Sequence, residues 1–101
     1  IMEDFNTIPE QYLLSQNYPN PFNPSTIISW QSPVSGHQTL KVYDVLGNEV
    51  ATLVDEYKPA GRYQVEFNGP SDEGQNLSSG IYFYRLEAGS FKKKKKMIYL
   101  K

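Results

Sequence analysis

Cysteine is absent from this sequence of 101 residues, which excludes disulfide bonds and thiolate metal sites. Histidine occurs once, at His37, so an imidazole metal cluster has no second member. Because no nucleophile-elbow motif occurs either, we interpret His37 as a solvated loop residue. We therefore expect no catalytic residue, no metal site and no cofactor, and we predict that the chain is not an enzyme.

A long apolar run and a large net charge are also missing. The apolar runs are only a few residues long, so the sequence predicts no membrane span. The formal net charge is −1, and such a chain has no overall field that would attract nucleic acid or an anionic membrane as a partner. The length fits one domain, without a deep cleft between domains. These absences favour binding over catalysis.

What the sequence does contain is aromatic residues in short alternating runs that end at turn residues. Eight Tyr, five Phe and one Trp favour half-buried pleated surfaces. The alternation predicts seven strands: Tyr12–Ser15, Thr26–Gln31, Gln38–Val45, Glu49–Val54, Tyr63–Phe67, Tyr82–Glu87 and Phe91–Leu100. We therefore predict an all-β fold, a seven-stranded antiparallel immunoglobulin-like β-sandwich. Residues 1–10 lack this period and are predicted to be a linker, with the folded domain over residues 11–101.

The most distinctive connection is the proline-rich loop, Tyr18–Thr26, between the first two strands. Each of its three prolines fixes its own φ and pushes the preceding residue into an extended conformation. Asn20 and Asn23 can form Asx turns, and Phe22 supplies one apolar side chain between them. We therefore predict a rigid, pre-shaped loop, which suits either a structural corner or a partner.

Two further positions carry conformational signatures. Gly47, in the turn Leu46–Asn48, is the residue best able to adopt a positive φ. Tyr82 stands at the start of the sixth strand, where a tyrosine corner would place its hydroxyl on a backbone group a few residues upstream. The alternative for Tyr82 is an ordinary core aromatic residue.

Five consecutive lysines, Lys92–Lys96, are the most conspicuous charge feature. One interpretation is a polybasic patch that binds nucleic acid, heparin-like polymers or anionic lipid A headgroups. The other is that the lysines protect an edge strand from pairing with another chain. We favour edge protection because no stacking aromatic residues interleave the run. Since Phe91, Ile98 and Leu100 cannot share one face by strict alternation, we predict a bulge within the run.

Two ligand sites are weaker alternatives. The loop Ser71–Asn76 is rich in oxygen and could bind calcium, but it lacks the spacing of a calcium loop, and turn chemistry explains the same residues. Tyr12, Tyr57 and Tyr99 could form an exposed platform on which sugar rings stack.

Several motifs along the chain match one family. They are Leu14-x-Gln16-Asn17-Tyr18-Pro-Asn-Pro-Phe-Asn-Pro24, Thr26-x-Ile28-x-Trp30, Leu40-x-Val42-Tyr43-Asp44-x-x-Gly47, Glu49-Val50-x-x-Leu53, Ala60-Gly61, Leu77–Leu86 and Lys96-Met97-Ile98-x-Leu100-Lys101. Together they resemble the C-terminal sorting domain of the type IX secretion system, type A, over residues 11–101. Each motif alone is weak, whereas their combination is specific.

The resemblance implies a sorting signal that is covalently attached to an exported passenger protein and is read by the type IX translocon. It implies transit through the periplasm, removal by a sortase-like signal peptidase, and a final location at the cell surface or outside the cell. We expect cleavage within residues 1–10, because a protease needs extended backbone. The recognition residues carried over from the family are Lys96, Met97, Ile98, Leu100 and Lys101. The fold-determining residues are Asn20, Pro21, Phe22, Asn23, Pro24, Gly47, Gly80 and Tyr82.

The alternative function is an ancillary immunoglobulin-like module that binds carbohydrate or a cell surface for a secreted enzyme. Fold class does not separate the two functions, because β-sandwiches carry many activities. If the first and last strands are uncovered, they would also allow a dimer through strand pairing.

Overall fold

The computed structural model describes residues 8–69 and 78–101 and contains seven β-strands. They are β1 (Leu13–Leu14), β2 (Ser25–Ser32), β3 (Gly36–Tyr43), β4 (Glu49–Lys58), β5 (Gly61–Asn68), β6 (Gly80–Ala88) and β7 (Phe91–Tyr99). All strand pairings are antiparallel, and they form two sheets. Within these ranges no helix is long and apolar enough to cross a membrane. The predicted all-β fold with seven antiparallel strands is confirmed.

The strand order is immunoglobulin-like, with one change of partner. One sheet has the order β1-β2-β5, and the other has the order β4-β3-β6-β7. In an immunoglobulin constant domain the fourth strand pairs with the fifth, whereas here β4 pairs with β3. The four-stranded sheet therefore has β4 at one edge and β7 at the other.

Alternation places one face of each central strand in the core. The inward residues of β2 and β6 are Thr26, Ile28, Trp30, Ser32, Tyr82, Tyr84, Leu86 and Ala88. Trp30 Nε1 donates a hydrogen bond to Gln38 Oε1 on β3 at 2.9 Å, which joins the two sheets. Because both side chains are buried, this hydrogen bond avoids the cost of an unpaired indole N–H in the core.

Strand bounds differ from the prediction mainly in β3 and β4. β3 begins and ends two residues earlier than predicted, so His37 lies on a strand rather than in a loop. His37 is exposed, and its Nε2 lies 2.6 Å from Asp55 Oδ1 on the paired strand. Val45, predicted to continue β3, is 64% exposed in the turn that follows. β4 extends four residues beyond its predicted end.

The turn after β3 closes on a carboxylate, which explains why the strand stops early. Asp44 Oδ1 accepts hydrogen bonds from the backbone amides of Leu46 and Asn48, each at 2.9 Å. These contacts, above all the one with the Asn48 amide, hold the pKa of Asp44 below its usual range. Gly47 has a φ of 89°, which confirms the predicted positive φ.

The predicted bulge in the lysine run is wrong. β6 and β7 pair along their whole length without a register shift. Phe91, Met97 and Tyr99 share the inward face, whereas Ile98 lies on the outer face, so regular alternation accommodates all of them. The register shifts of this sheet lie instead between β3 and β4.

Candidate recognition surface

The proline-rich loop follows one defined path because its polar groups are paired. Its X-Pro peptide bonds at Pro19, Pro21 and Pro24 are cis. The buried Asn17 donates from Nδ2 to Pro19 O at 3.2 Å and to Thr26 Oγ1 at 3.0 Å. The Thr26 hydroxyl donates to Pro19 O at 2.9 Å. These contacts join the beginning of the loop to its end, so the predicted pre-shaped loop is observed.

The loop lies against the outer edge of β7. Phe22 N donates to Ile98 O at 2.9 Å, and Leu100 N donates to Phe22 O at 3.0 Å. Asn20 Oδ1 accepts a hydrogen bond from Ile98 N at 2.9 Å. Edge strands present unpaired backbone groups to solvent, and here the loop occupies those groups at the end of β7.

Gln16, which precedes the loop, extends this contact along β7. Gln16 Nε2 donates to Lys96 O at 2.7 Å. We define the capped edge as Gln16, Asn20 and Phe22 together with Lys96, Ile98 and Leu100. The proline-rich loop and the last strand are separate features of the sequence, whereas the structure brings them together at this edge.

The Phe22 side chain fills the end of the sandwich behind the capped edge. It is 1% exposed, and its ring centroid lies 5.2 Å from that of Tyr99 and 5.9 Å from that of Phe67. The backbone of Gly69 passes close to the same rings, since a Cβ at that residue would lie 3.5 Å from Tyr99. Phe22 is therefore a core residue supplied by a loop.

The buried hydroxyl of Tyr84 is a second anchor, which the sequence analysis missed. Tyr84 Oη donates to Ser15 O at 2.6 Å and accepts a hydrogen bond from Asn17 N at 2.8 Å. Burial raises the pKa of Tyr84 to about 12, against a smaller opposite effect of the Asn17 hydrogen bond. Alternation indicates an inward tyrosine here, but its partners lie more than sixty residues away in sequence, beyond local patterning.

The predicted recognition residues fall into two groups. Lys96, Leu100 and Lys101 are exposed, and Ile98 is half-buried. Met97 is completely buried on the inward face, so we assign it to the core. Of the five predicted recognition residues, the other four have side chains that are at least partly accessible on the folded domain.

The predicted fold-determining residues also differ in their surroundings. Among the predicted fold-determining residues of the loop, Phe22 is buried and the other four, Asn20, Pro21, Asn23 and Pro24, are exposed. Pro24 O accepts a hydrogen bond from Gly69 N at 3.1 Å, which fastens the end of the loop. Gly80 has a φ of 149°, a value that other residues rarely adopt, at the first position of β6.

The tyrosine corner is present, and it gives a first prediction. Tyr82 Oη donates to Ser78 O at 2.8 Å. Tyr82→Phe removes only this hydrogen bond and should lower the free energy of unfolding by about 1 kcal/mol. Chemical denaturation measures the change, with Tyr57→Phe as the control because Tyr57 is 67% exposed. Equal midpoints for Tyr82→Phe and the unchanged protein would contradict a stabilising corner.

The structure tests one of the two alternative ligand sites. Tyr99 is 1% exposed, and Tyr12 is half-buried and stacks on Phe91 with centroids 4.8 Å apart, so the three tyrosines do not form an exposed platform. The predicted sugar platform is therefore wrong. The calcium hypothesis concerns residues 71–76, which lie outside the described residues. Among residues 8–69 and 78–101, no group of three or more His, Cys, Asp or Glu side chains could hold a metal ion.

Comparisons with known proteins agree with the sequence motifs. The family model of the secretion system C-terminal sorting domain matches residues 16–100. The crystal structure of dimeric latent PorU from Porphyromonas gingivalis is similar over 88% of this chain, with a TM-score of 0.63 and 17% identity. The matched part is 9% of that chain, and at this identity the similarity concerns the fold. No curated protein gives a significant match.

Proposed function

The chain belongs to the family of secretion system C-terminal sorting domains, and we propose that it directs a covalently attached passenger protein through the type IX secretion system. The family match over residues 16–100 is the observation that carries this proposal. In the proposed route, the type IX translocon binds the folded domain in the periplasm. The passenger then crosses the outer membrane and reaches the cell surface or the medium.

We further propose that the translocon reads exposed side chains at the capped edge. The backbone N–H and C=O of Ile98 are already bonded to Asn20 and Phe22, so a partner strand cannot pair there unless the loop moves. Lys96, Leu100 and Lys101 project beside this contact and are accessible. Pairing of a second copy along β1 or the beginning of β7 stays a prediction.

Removal of the domain by a sortase-like signal peptidase is part of the same proposal. Residues 1–10 precede β1 and lie outside the match to the family model, so cleavage there would leave the sandwich whole. Mass spectrometry of the exported passenger is the measurement, and a new C-terminus within residues 1–10 is the expected result. A passenger that is exported with all strands still attached would contradict the cleavage step alone.

An export assay tests the sorting function. The whole chain is fused to the C-terminus of a periplasm-directed reporter in a strain with an active type IX system. A surface variant carries Lys96→Glu and Leu100→Ser, both at exposed positions of the capped edge. The matched control carries Lys93→Glu and Val34→Ser at exposed positions elsewhere. It has the same charge reversal and likewise replaces one aliphatic side chain with serine. Thermal unfolding of each purified chain verifies that the variants fold.

The outcomes test the sorting function and the assignment of recognition to the capped edge separately. We expect the unchanged fusion and the control to reach the cell surface or medium, and the folded surface variant to stay in the periplasm. If the unchanged fusion stays in the periplasm, the sorting proposal is wrong. If the surface variant is exported as well as the control, sorting stands and the assignment to the capped edge is wrong.

A further inference from the structure

The outer face of the four-stranded sheet carries a row of cations. Cross-strand pairing places Lys92, Lys94 and Lys96 beside the residues of β6 that point away from the core. We define these three lysines as the basic stripe. Alternate residues of a strand stand about 7 Å apart, so the stripe extends over about 14 Å on one face. Lys93 and Lys95 point to the opposite face of the same strand.

The charges of the basic stripe are not neutralised within the described part of the chain. On the neighbouring strand, Arg85 Nη2 pairs with Glu87 Oε2 at 2.7 Å, which occupies the nearest acidic side chain of β6. In residues 8–69 and 78–101, no carboxylate oxygen lies within 4.0 Å of a stripe nitrogen. This face therefore has a local excess of positive charge on a chain whose net charge is −1.

One exposed aliphatic side chain lies near the basic stripe, and a second follows it directly in the chain. Val45 is 64% exposed and Leu46 is 82% exposed in the turn after β3, and we define them as the apolar tip. Val45, but not Leu46, lines a shallow concavity at this end of the sheet, together with Asp44, Phe83 and Lys94. A single exposed leucine is ordinary, but an apolar pair beside clustered lysines is the composition of surfaces that lie in a membrane interface.

We propose that this outer face docks on the surface of an anionic lipid bilayer, with the basic stripe against the headgroup phosphates and the apolar tip in the interface. Clustered lysines are attracted to anionic headgroups, and inserted aliphatic side chains add affinity that a soluble polyanion cannot supply. Single-stranded nucleic acid would instead need exposed aromatic rings for stacking. The ring beside the stripe, Phe83, is half-buried, with Lys94 Nζ 5.0 Å from its centroid, and the exposed Tyr57 lies on β4 at the other edge of the sheet.

Vesicle partition of the purified chain tests the proposal without any secretion machinery. The probes are vesicles of phosphatidylcholine alone and vesicles of phosphatidylcholine mixed with phosphatidylglycerol, and binding is measured by co-sedimentation. Lys92→Gln with Lys94→Gln should weaken partition into the mixed vesicles roughly 30-fold, as expected for two cations near an anionic surface. Leu46→Ser should weaken it roughly tenfold, because the inserted apolar side chain is lost.

The matched control is Lys93→Gln with Lys95→Gln, which removes the same charge from the other face of β7. We expect the control to bind the mixed vesicles within about threefold of the unchanged chain, since distant charges are screened by salt. If stripe and control variants lose affinity equally, or if the unchanged chain does not bind mixed vesicles better than neutral ones, the proposal is wrong. Tight binding to a single-stranded oligonucleotide that Leu46→Ser does not change, with no vesicle binding, would also overturn it.

Discussion

Replacing Phe22 with alanine is expected to lower the free energy of unfolding by roughly 3–5 kcal/mol, the usual cost of truncating a core aromatic residue. Most loop substitutions cost far less, but this ring is 1% exposed and packs between Phe67 and Tyr99. The loop backbone is hydrogen-bonded to β7 on both sides of the ring. The site therefore cannot collapse freely, and the cavity left by the substitution adds to the lost burial.

Denaturant unfolding measures this effect, and Leu46→Ala is the control. Leu46 is 82% exposed in a turn, so its truncation should change the stability by less than about 0.5 kcal/mol. Phe22→Ala should also speed hydrogen exchange at the amides of Ile98 and Leu100, whose acceptors lie on the loop. A loss below about 1 kcal/mol would show that the sandwich closes without the loop, and Phe22 would then not determine the fold.

The strands could be predicted because each one is specified locally. Alternation in β2 and β6 matches the observed burial, and Tyr82 and Gly47 have the predicted hydrogen bond and positive φ. The early end of β3 could not be predicted from alternation, since it depends on the Asp44 carboxylate closing the turn. Turn hydrogen bonds of this kind compete with strand continuation and are not visible in a period-two pattern.

The capped edge could not be predicted because it joins residues about eighty positions apart. The sequence indicated a rigid loop and an edge strand, but not that Asn20 and Phe22 bind that strand. Alternation also tells which residues share a face, not which face is inward. Tyr99 is therefore a candidate for exposure by sequence, whereas in the structure it is buried in the core against Phe22. The family match supports the sorting function, and the surface that is recognised stays a proposal.

Tyr84→Phe is expected to lower the free energy of unfolding by about 2–4 kcal/mol near neutral pH. The substitution keeps the ring but leaves Ser15 O and Asn17 N without the hydroxyl that now pairs with both of them. Loss of its partner should cost about 1–3 kcal/mol at the buried Asn17 amide and about 1 kcal/mol at the carbonyl of the half-buried Ser15. Tyr57→Phe removes a hydroxyl from a side chain that is 67% exposed, and it should leave the stability unchanged.

The same hydroxyl should make stability fall in alkaline solution. An unfolded tyrosine has a pKa near 10, whereas burial raises the pKa of Tyr84 to about 12. The folded state therefore holds a proton that the unfolded state loses, so this stabilisation is complete below pH ~10 and disappears as the pH rises through ~12. Between pH ~9 and pH ~11 the loss should be about 1.4 kcal/mol.

Subtracting the stability of Tyr84→Phe from that of the unchanged protein at each pH isolates this contribution, because the two proteins are otherwise identical. The difference should shrink steadily above pH ~10, since a phenylalanine has no proton to lose. A difference that stays constant up to pH ~12 would mean that the Tyr84 hydroxyl titrates alike in the folded and unfolded states. In that case burial of the Tyr84 hydroxyl would not raise its pKa, and the predicted alkaline loss of stability would be wrong, whereas the effect of Tyr84→Phe at neutral pH tests the hydrogen bonds to Ser15 and Asn17 separately.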